Sequence, residues 1–270
     1  MTQSSSTPPR VMFSAGEASG DRYAARIHQR LTQQFPDDIE SRRRLLTIPR
    51  VVEDPVRSQT IVDQIKEIEG QNGRQWRVEQ ARIWILSEDF ASHYTQIVRL
   101  LQENLLASPE DRPSHLLLAA AYEKAGEVQR ALTMYREAMQ RWPDDVRIIT
   151  RMIQTLYQAG RDEEAMQMLE RIQARDLHDP EIRKLELQGY LRRGASAADS
   201  EARRDALDSA SEILRELVRQ DPNDTQAGLR LVSTLAAQAK YEEAQAVLDV
   251  VKARDPESNS VVVAQVQLYS

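Results

Sequence analysis

The sequence predicts an all-α solenoid of helical hairpins, with a short strand–loop–helix segment ahead of it. Three observations predict this. First, a spacing of 34 residues recurs in several classes of position: Pro109 and Pro143, Pro222 and Pro256, Gly126, Gly160 and Gly194, Ala131 and Ala165, Ala210 and Ala244. Second, apolar residues between these landmarks fall at helical spacing. Third, the chain of 270 residues is 41% apolar and 29% charged, with only 9 Gly and 3 Phe, which suits a helix-rich protein better than a β-sandwich. Each unit of such an array buries its face only against its neighbours.

The first ten residues, "MTQSSSTPPR", read as a polar lead. "RVMFSAG" reads as a buried strand, followed by a short loop and by "DRYAARIHQRLTQQFP" as an amphipathic helix. Residues 38 to 53, including "SRRRLLTIPRVV", carry no clean period and are expected to form an extended connector. Residues 1–53 are thus set apart from a repeat domain over 54–270. That domain opens with "EDPVRSQTIVDQIKEIEG", a helix with Asp54 as N-cap, Pro55 at its first position and Gly70 at its end.

The repeat units run over about 78–111, 112–145, 146–179, 180–224 and 225–258, with a partial unit at 259–270. In the second, "SHLLLAAAYEKAG" is a helix ending at a Gly suited to a left-handed cap, and "EVQRALTMYREAMQRWPDD" is its partner, stopped at Pro. Ala131 is small enough to let the two helices approach. The unit at 78–111 is degenerate, with Ile97 at the small-residue position. The unit at 180–224 contains "ASAADSEARRD", an insertion expected to be a helical extension or a loop. In the unit at 225–258, Ala239 stands where Gly is expected. The last segment, "NSVVVAQVQLYS", begins a further first helix. Its valines are not a polar cap, so it either packs back on the preceding unit, belongs to a truncated array, or self-associates.

These segments resemble tetratricopeptide repeats. Counting from Arg112, Ala119, Tyr122, Gly126, Ala131, Tyr135, Ala138 and Pro143 fall on the family's pattern. The resemblance implies a right-handed superhelix whose concave groove, lined by first helices, binds a protein or peptide and carries no catalysis of its own. Carried over position by position, the groove would contain Arg147, Thr150, Gln154, Tyr157 and Gln158, then Glu181, Lys184, Gln188, Leu191 and Arg192, with Leu116, Glu123 and Lys124 from the preceding unit. Long polar side chains of this kind hydrogen-bond a peptide backbone, and basic ones attract carboxylates. Lys184 and Gln188 approach the pair with which one sub-type grips a C-terminal carboxylate; Thr150 and Gln154 do not.

Other functions find less support. A net charge of -6 argues against a nucleic-acid surface, and Trp76, Trp84 and Trp142 form no stacking series. No stretch approaches the roughly 18 apolar residues of a membrane span. The absence of cysteine removes disulfides and thiolate metal sites, and a cytoplasmic location is expected. His28, His93, His115 and His178 have no metal-ligand spacing, and the pairs Glu163–Glu164 and Glu242–Glu243 open second helices, where they favour the helix dipole. No metal, cofactor or catalytic group is expected. The stretch "GEASGD" resembles the N-terminus of lipid-A-disaccharide synthase, an inverting glycosyltransferase. Gly16, Glu17, Ser19, Gly20 and Asp21 are the matched positions, within about residues 10 to 36. That resemblance implies a sugar-nucleotide loop and gives the alternative reading, a truncated or fused piece of such an enzyme. A lone strand and helix cannot complete its active site, because a parallel strand needs neighbours.

Overall fold

The computed structural model describes residues 26, 30, 33–173, 179–255 and 258–269. It is all-α, with no strand among the described residues. Among the described residues from Ile39 onward there are fourteen helices: α1 (Ile39–Leu45), α2 (Pro49–Val52), α3 (Pro55–Glu69), α4 (Arg74–Leu86), α5 (Phe90–Ala107), α6 (Arg112–Lys124), α7 (Val128–Arg141), α8 (Val146–Gln158), α9 (Asp162–Gln173), α10 (Pro180–Ser196), α11 (Ser200–Gln220), α12 (Thr225–Ala237), α13 (Tyr241–Arg254) and α14 (Asn259–Tyr269). They divide into two compact units, Met1–Arg141 and Trp142–Ser270. The strand and loop expected at the N-terminus, with Gly16, Glu17, Ser19, Gly20 and Asp21, lie outside the described residues.

In the first unit, α1 and α2 pack on α3, and the hairpins α4–α5 and α6–α7 follow. The segment expected to be an extended connector is instead helical. Asp38 caps α1 by accepting hydrogen bonds from the amides of Glu40 and Ser41, and Pro49 begins α2. The apolar residues that lacked a clear period, Leu45, Leu46, Ile48 and Val51, are buried against Ile61, Val62 and Ile65 of α3 and Trp76 of α4. Two helices of seven and four residues are too short to display a helical period in sequence, yet long enough to cover one face of α3. The cap at Asp54 forms as its sequence indicates: the carboxylate accepts from the Arg57 amide, and Gly70 closes α3 at φ 78°.

In the second unit, hairpins α8–α9, α10–α11 and α12–α13 stack in order. First helices also touch directly, α8 against α10 and α12 against α14, which is the packing of a solenoid. Within each unit, the alanines that set the period (Ala131 in the first; Ala165, Ala210 and Ala244 in the second) are fully buried where two helices cross. Leu187 of α10, Ile213 and Leu214 of α11, Leu231 and Leu235 of α12, Leu248 of α13 and Val261 of α14 form a continuous core.

The insertion is helical. The first helix α10 runs to Ser196, Asp199 caps α11 through the Ala202 amide, and α11 extends for 21 residues. Gly194, in phase with Gly126 and Gly160, is therefore not a left-handed cap. It lies inside α10, where the missing side chain leaves room for Leu207 of α11. The left-handed position of the next hairpin is taken by Ala239, at φ 59°. At the end of the chain, α14 packs back on α12 and α13 through Val261, Ala264 and Leu268.

Candidate partner-binding site

The site is built on the first helices of the second unit. A cleft of about 850 Å³ lies between α10 and α12 and reaches Gln154 of α8. Along α10, Glu181, Lys184, Gln188, Leu191 and Arg192 line it, because spacings of three, four and seven residues stay on one helical face. The neighbouring stripe, Ile182, Leu185, Glu186 and Gly189, is buried. From α12 come Gln226, Ala227 and Arg230, and from α11 come Leu214 and Leu217.

A second cleft, of about 630 Å³, lies between α12 and α14. Leu229 and Ala236 of α12 face Val263, Ala264 and Leu268 of α14, with Ser233, Asn259 and Ser260 at its polar edge. Gln226 and Arg230 line both clefts. One turn apart on α12, they form the ridge between them.

The charges on this face differ in how they are engaged. Lys184 Nζ lies 2.8 Å from Glu181 Oε1, and that hydrogen bond and charge raise the Lys184 pKa above its ordinary value. Arg192 Nη2 lies 2.8 Å from Asp162 Oδ1 and donates to the Tyr157 carbonyl at 3.2 Å. Asp224 caps α12 by accepting from the Ala227 amide at 2.9 Å. The Arg230 guanidinium has no hydrogen-bond or ion-pair partner among the described residues.

Of the residues expected in a groove, Gln154, Glu181, Lys184, Gln188, Leu191 and Arg192 come together in the first cleft. Arg147 is exposed and Thr150 half-buried, both outside the lining of the two clefts, and the Thr150 hydroxyl donates to the Arg147 carbonyl within its own helix. Tyr157 is corrected. At 3% exposure it belongs to the core between α8 and α10, its hydroxyl donating to the Leu185 carbonyl. Burial drives the Tyr157 phenol pKa well above its ordinary value. Lys124, in the first unit, is engaged at the end of α4: Nζ donates to the carbonyls of Ile85 and Ser87 at 2.6 and 3.2 Å and lies over the Phe90 ring. A cation there complements the helix C-terminus.

Sequence reasoning missed Gln226, Leu229, Arg230 and Val263. Gln226 was findable, since it holds the same repeat position as Arg147 and Glu181. Arg230 falls between the positions that face a groove in a regular repeat, and nothing in its local sequence marks it. Among the histidines, His115 is buried, its Nε2 2.9 Å from the Pro109 carbonyl, and His93 stacks on Trp84 at 4.6 Å between centroids. Among the described residues, no group of three or more His, Asp or Glu side chains is arranged to hold a metal ion, and no helix is long and apolar enough to cross a membrane.

The tetratricopeptide repeat family model matches residues 123–188 and 202–265. No curated protein matches the sequence. Among solved structures, a tetratricopeptide repeat protein from Parabacteroides merdae is similar at a TM-score of 0.54 and 13% identity, over 91% of this chain and 86% of that one. Pseudomonas aeruginosa pilF is similar at a TM-score of 0.50 and 19% identity, over 73% of this chain and 84% of that one. The MamA RS-1 ArsTM double mutant is similar at a TM-score of 0.51 and 16% identity, over 71% and 99%. At such identities the likeness speaks for the fold alone. Residues 123–188 and 202–265 are thus similar to tetratricopeptide repeats, and the described residues share the all-α helical-hairpin fold of such proteins.

Proposed function

We propose that this protein is a non-catalytic scaffold that binds a peptide or protein segment along α8, α10, α12 and α14. The observation that carries the reading is the pair of adjoining clefts on these helices, sharing Gln226 and Arg230 as their common wall. Repeats of this family are protein-interaction modules, and long clefts with spaced polar side chains suit an extended chain. Gln154 and Gln188 are 34 residues apart and line one cleft, so they offer amides to a peptide backbone at the repeat spacing. Peptides selected from a displayed library on the full chain test this. Lys184→Glu combined with Gln188→Ala is expected to weaken the selected peptides by about tenfold, the loss of two modest polar contacts. Selected peptides indifferent to these changes would move the binding surface elsewhere.

Self-association through α14 is a second reading, favoured by Val262 and Val266, which are 54% and 64% exposed on the side of α14 away from its core contact at Val261. Sedimentation equilibrium over a wide concentration range decides it. The expected result is a concentration-dependent dimer that Val262→Lys with Val266→Lys returns to monomer, and a monomer at every concentration removes the reading.

A further inference from the structure

We infer that the segment taken by this site carries a single carboxylate two residues from an aliphatic side chain, with the carboxylate on Arg230 and the aliphatic group in the α12–α14 cleft. This rests on the groove reading above and names the partner's chemistry.

The charge pattern selects the carboxylate. Lys184 already shares its charge with Glu181, and Arg192 with Asp162, so Arg230 is the cation on this face with no carboxylate beside it among the described residues. Arg230 is exposed, unpaired among the described residues, and placed on the ridge that both clefts share. A guanidinium presents a planar fork of donors that matches one carboxylate. The same pattern limits the partner to one acidic group near this point. Glu181 and Asp224 line the α10–α12 cleft, and a polyacidic tail continuing into it would meet both.

The aliphatic group follows from the other cleft. Leu229, Val232, Ala236, Val263, Ala264 and Leu268 give it apolar walls, and among the described residues no charged side chain other than Arg230 lines it. Packed helices lie about 8–10 Å apart, so the middle of the α12–α14 cleft is about 5 Å from the α12 ridge. An extended chain advances about 6.6 Å in two residues and returns side chains to the same side. An acidic residue on Arg230 and an aliphatic residue in the cleft are therefore separated by one intervening position.

Fluorescence anisotropy with the full chain and four labelled octapeptides in a Gly/Ser background tests the inference. The probes contain Glu-Ser-Leu, Gln-Ser-Leu, Glu-Ser-Ser or Lys-Ser-Leu. Glu-Ser-Leu is expected to bind tightest, and the Gln and Ser replacements to lose about fivefold each, the effect of one exposed ion pair or one partly buried side chain. The acidic preference should shrink as salt rises. Arg230→Gln should equalise the Glu and Gln peptides, and Arg230→Glu should make Lys-Ser-Leu the tighter one. Equal binding of the Glu and Gln peptides to the unmodified chain overturns the inference, as does an acidic preference that survives Arg230→Glu. Failure of all four peptides also overturns it. The groove reading is judged separately, by the library-selected peptides and the Lys184 and Gln188 changes.

Discussion

The Tyr157 hydroxyl donates a hydrogen bond of 3.1 Å to the carbonyl of Leu185, and so joins α8 to α10 inside the second unit. Gly189 makes the approach possible. A methyl group at 189 would overlap both Tyr157 Oη and Met166 Sδ. Glycine inside a helix ordinarily costs about 1 kcal/mol relative to alanine, so Gly189→Ala on an open helix would stabilise. Here the overlap is expected to outweigh that gain and destabilise the chain by about 1–3 kcal/mol, the usual size of overpacking. Tyr157→Phe keeps the ring and is expected to cost about 1 kcal/mol, one hydrogen bond. Urea unfolding of the two variants checks both values. A more stable Gly189→Ala protein would mean that the α8–α10 seam yields freely.

These residues mark where the sequence is legible and where it is not. The hairpins could be read because each needs a small residue at its crossing and a stop at its end, and both leave local traces such as Ala165 and Gly160. Tyr157 was misassigned because repeat position locates a residue on its helix but not the shape of the neighbouring helix. With Gly189 opposite, the ring turns inward. Gly194 shows a related limit: the insertion moves the end of α10 beyond it, so the periodic spacing survives while a left-handed cap does not. The helices α1 and α2 are too short to show a period, and Arg230 gains its place only when α10, α12 and α14 are assembled.

At the end of α12, Ala239 adopts φ 59°, in the position that Gly126 and Gly160 fill at φ 75° and 69° after α6 and α8. The left-handed conformation carries a steric cost for alanine that glycine does not have. Ala239→Gly is therefore expected to stabilise by about 0.5–1 kcal/mol, even after the greater freedom glycine gives the unfolded chain. Gly160→Ala is expected to destabilise by a similar amount. Opposite shifts of the thermal midpoint are the result sought, and shifts of the same sign would sink the argument.

In the first unit, a buried polar cluster ties α4, α5 and α6 together. Arg74 Nη1 lies 2.6 Å from Asp111 Oδ1, the Ser114 hydroxyl donates to the other Asp111 oxygen, and Asn104 Nδ2 donates to the Arg74 carbonyl at 3.0 Å. Asp111 is almost fully buried, whereas half of the Arg74 side chain is exposed. The two partners should therefore respond unequally. Arg74→Ala leaves the Asp111 carboxylate buried without its counter-charge, served only by Ser114 among the described residues, and is expected to cost about 3–5 kcal/mol. Asp111→Ala leaves a half-exposed guanidinium that water can serve and a Ser114 hydroxyl without its acceptor, so about 1–2 kcal/mol is expected. Equal losses in denaturant titrations would contradict this division.

The cap of the longest helix gives a pH dependence. Asp199 accepts from the Ala202 amide at 3.0 Å, and that hydrogen bond, with the nearby amides of Glu201 and Ser200, holds its carboxyl pKa below the ordinary 3.8. A carboxyl group with a depressed folded pKa adds stability that is fully present above the unfolded value and is lost as pH falls through the folded value. The stability difference between the unmodified chain and Asp199→Asn should accordingly stay constant from pH 7 to about 5 and change below about pH 4. Asparagine is itself a good N-cap, so the variant folds and its own cap does not titrate. Urea midpoints of the two proteins should converge as the Asp199 carboxylate is protonated. Parallel midpoints down to pH 2.5 would show that the cap at α11 does not depend on the charge of Asp199.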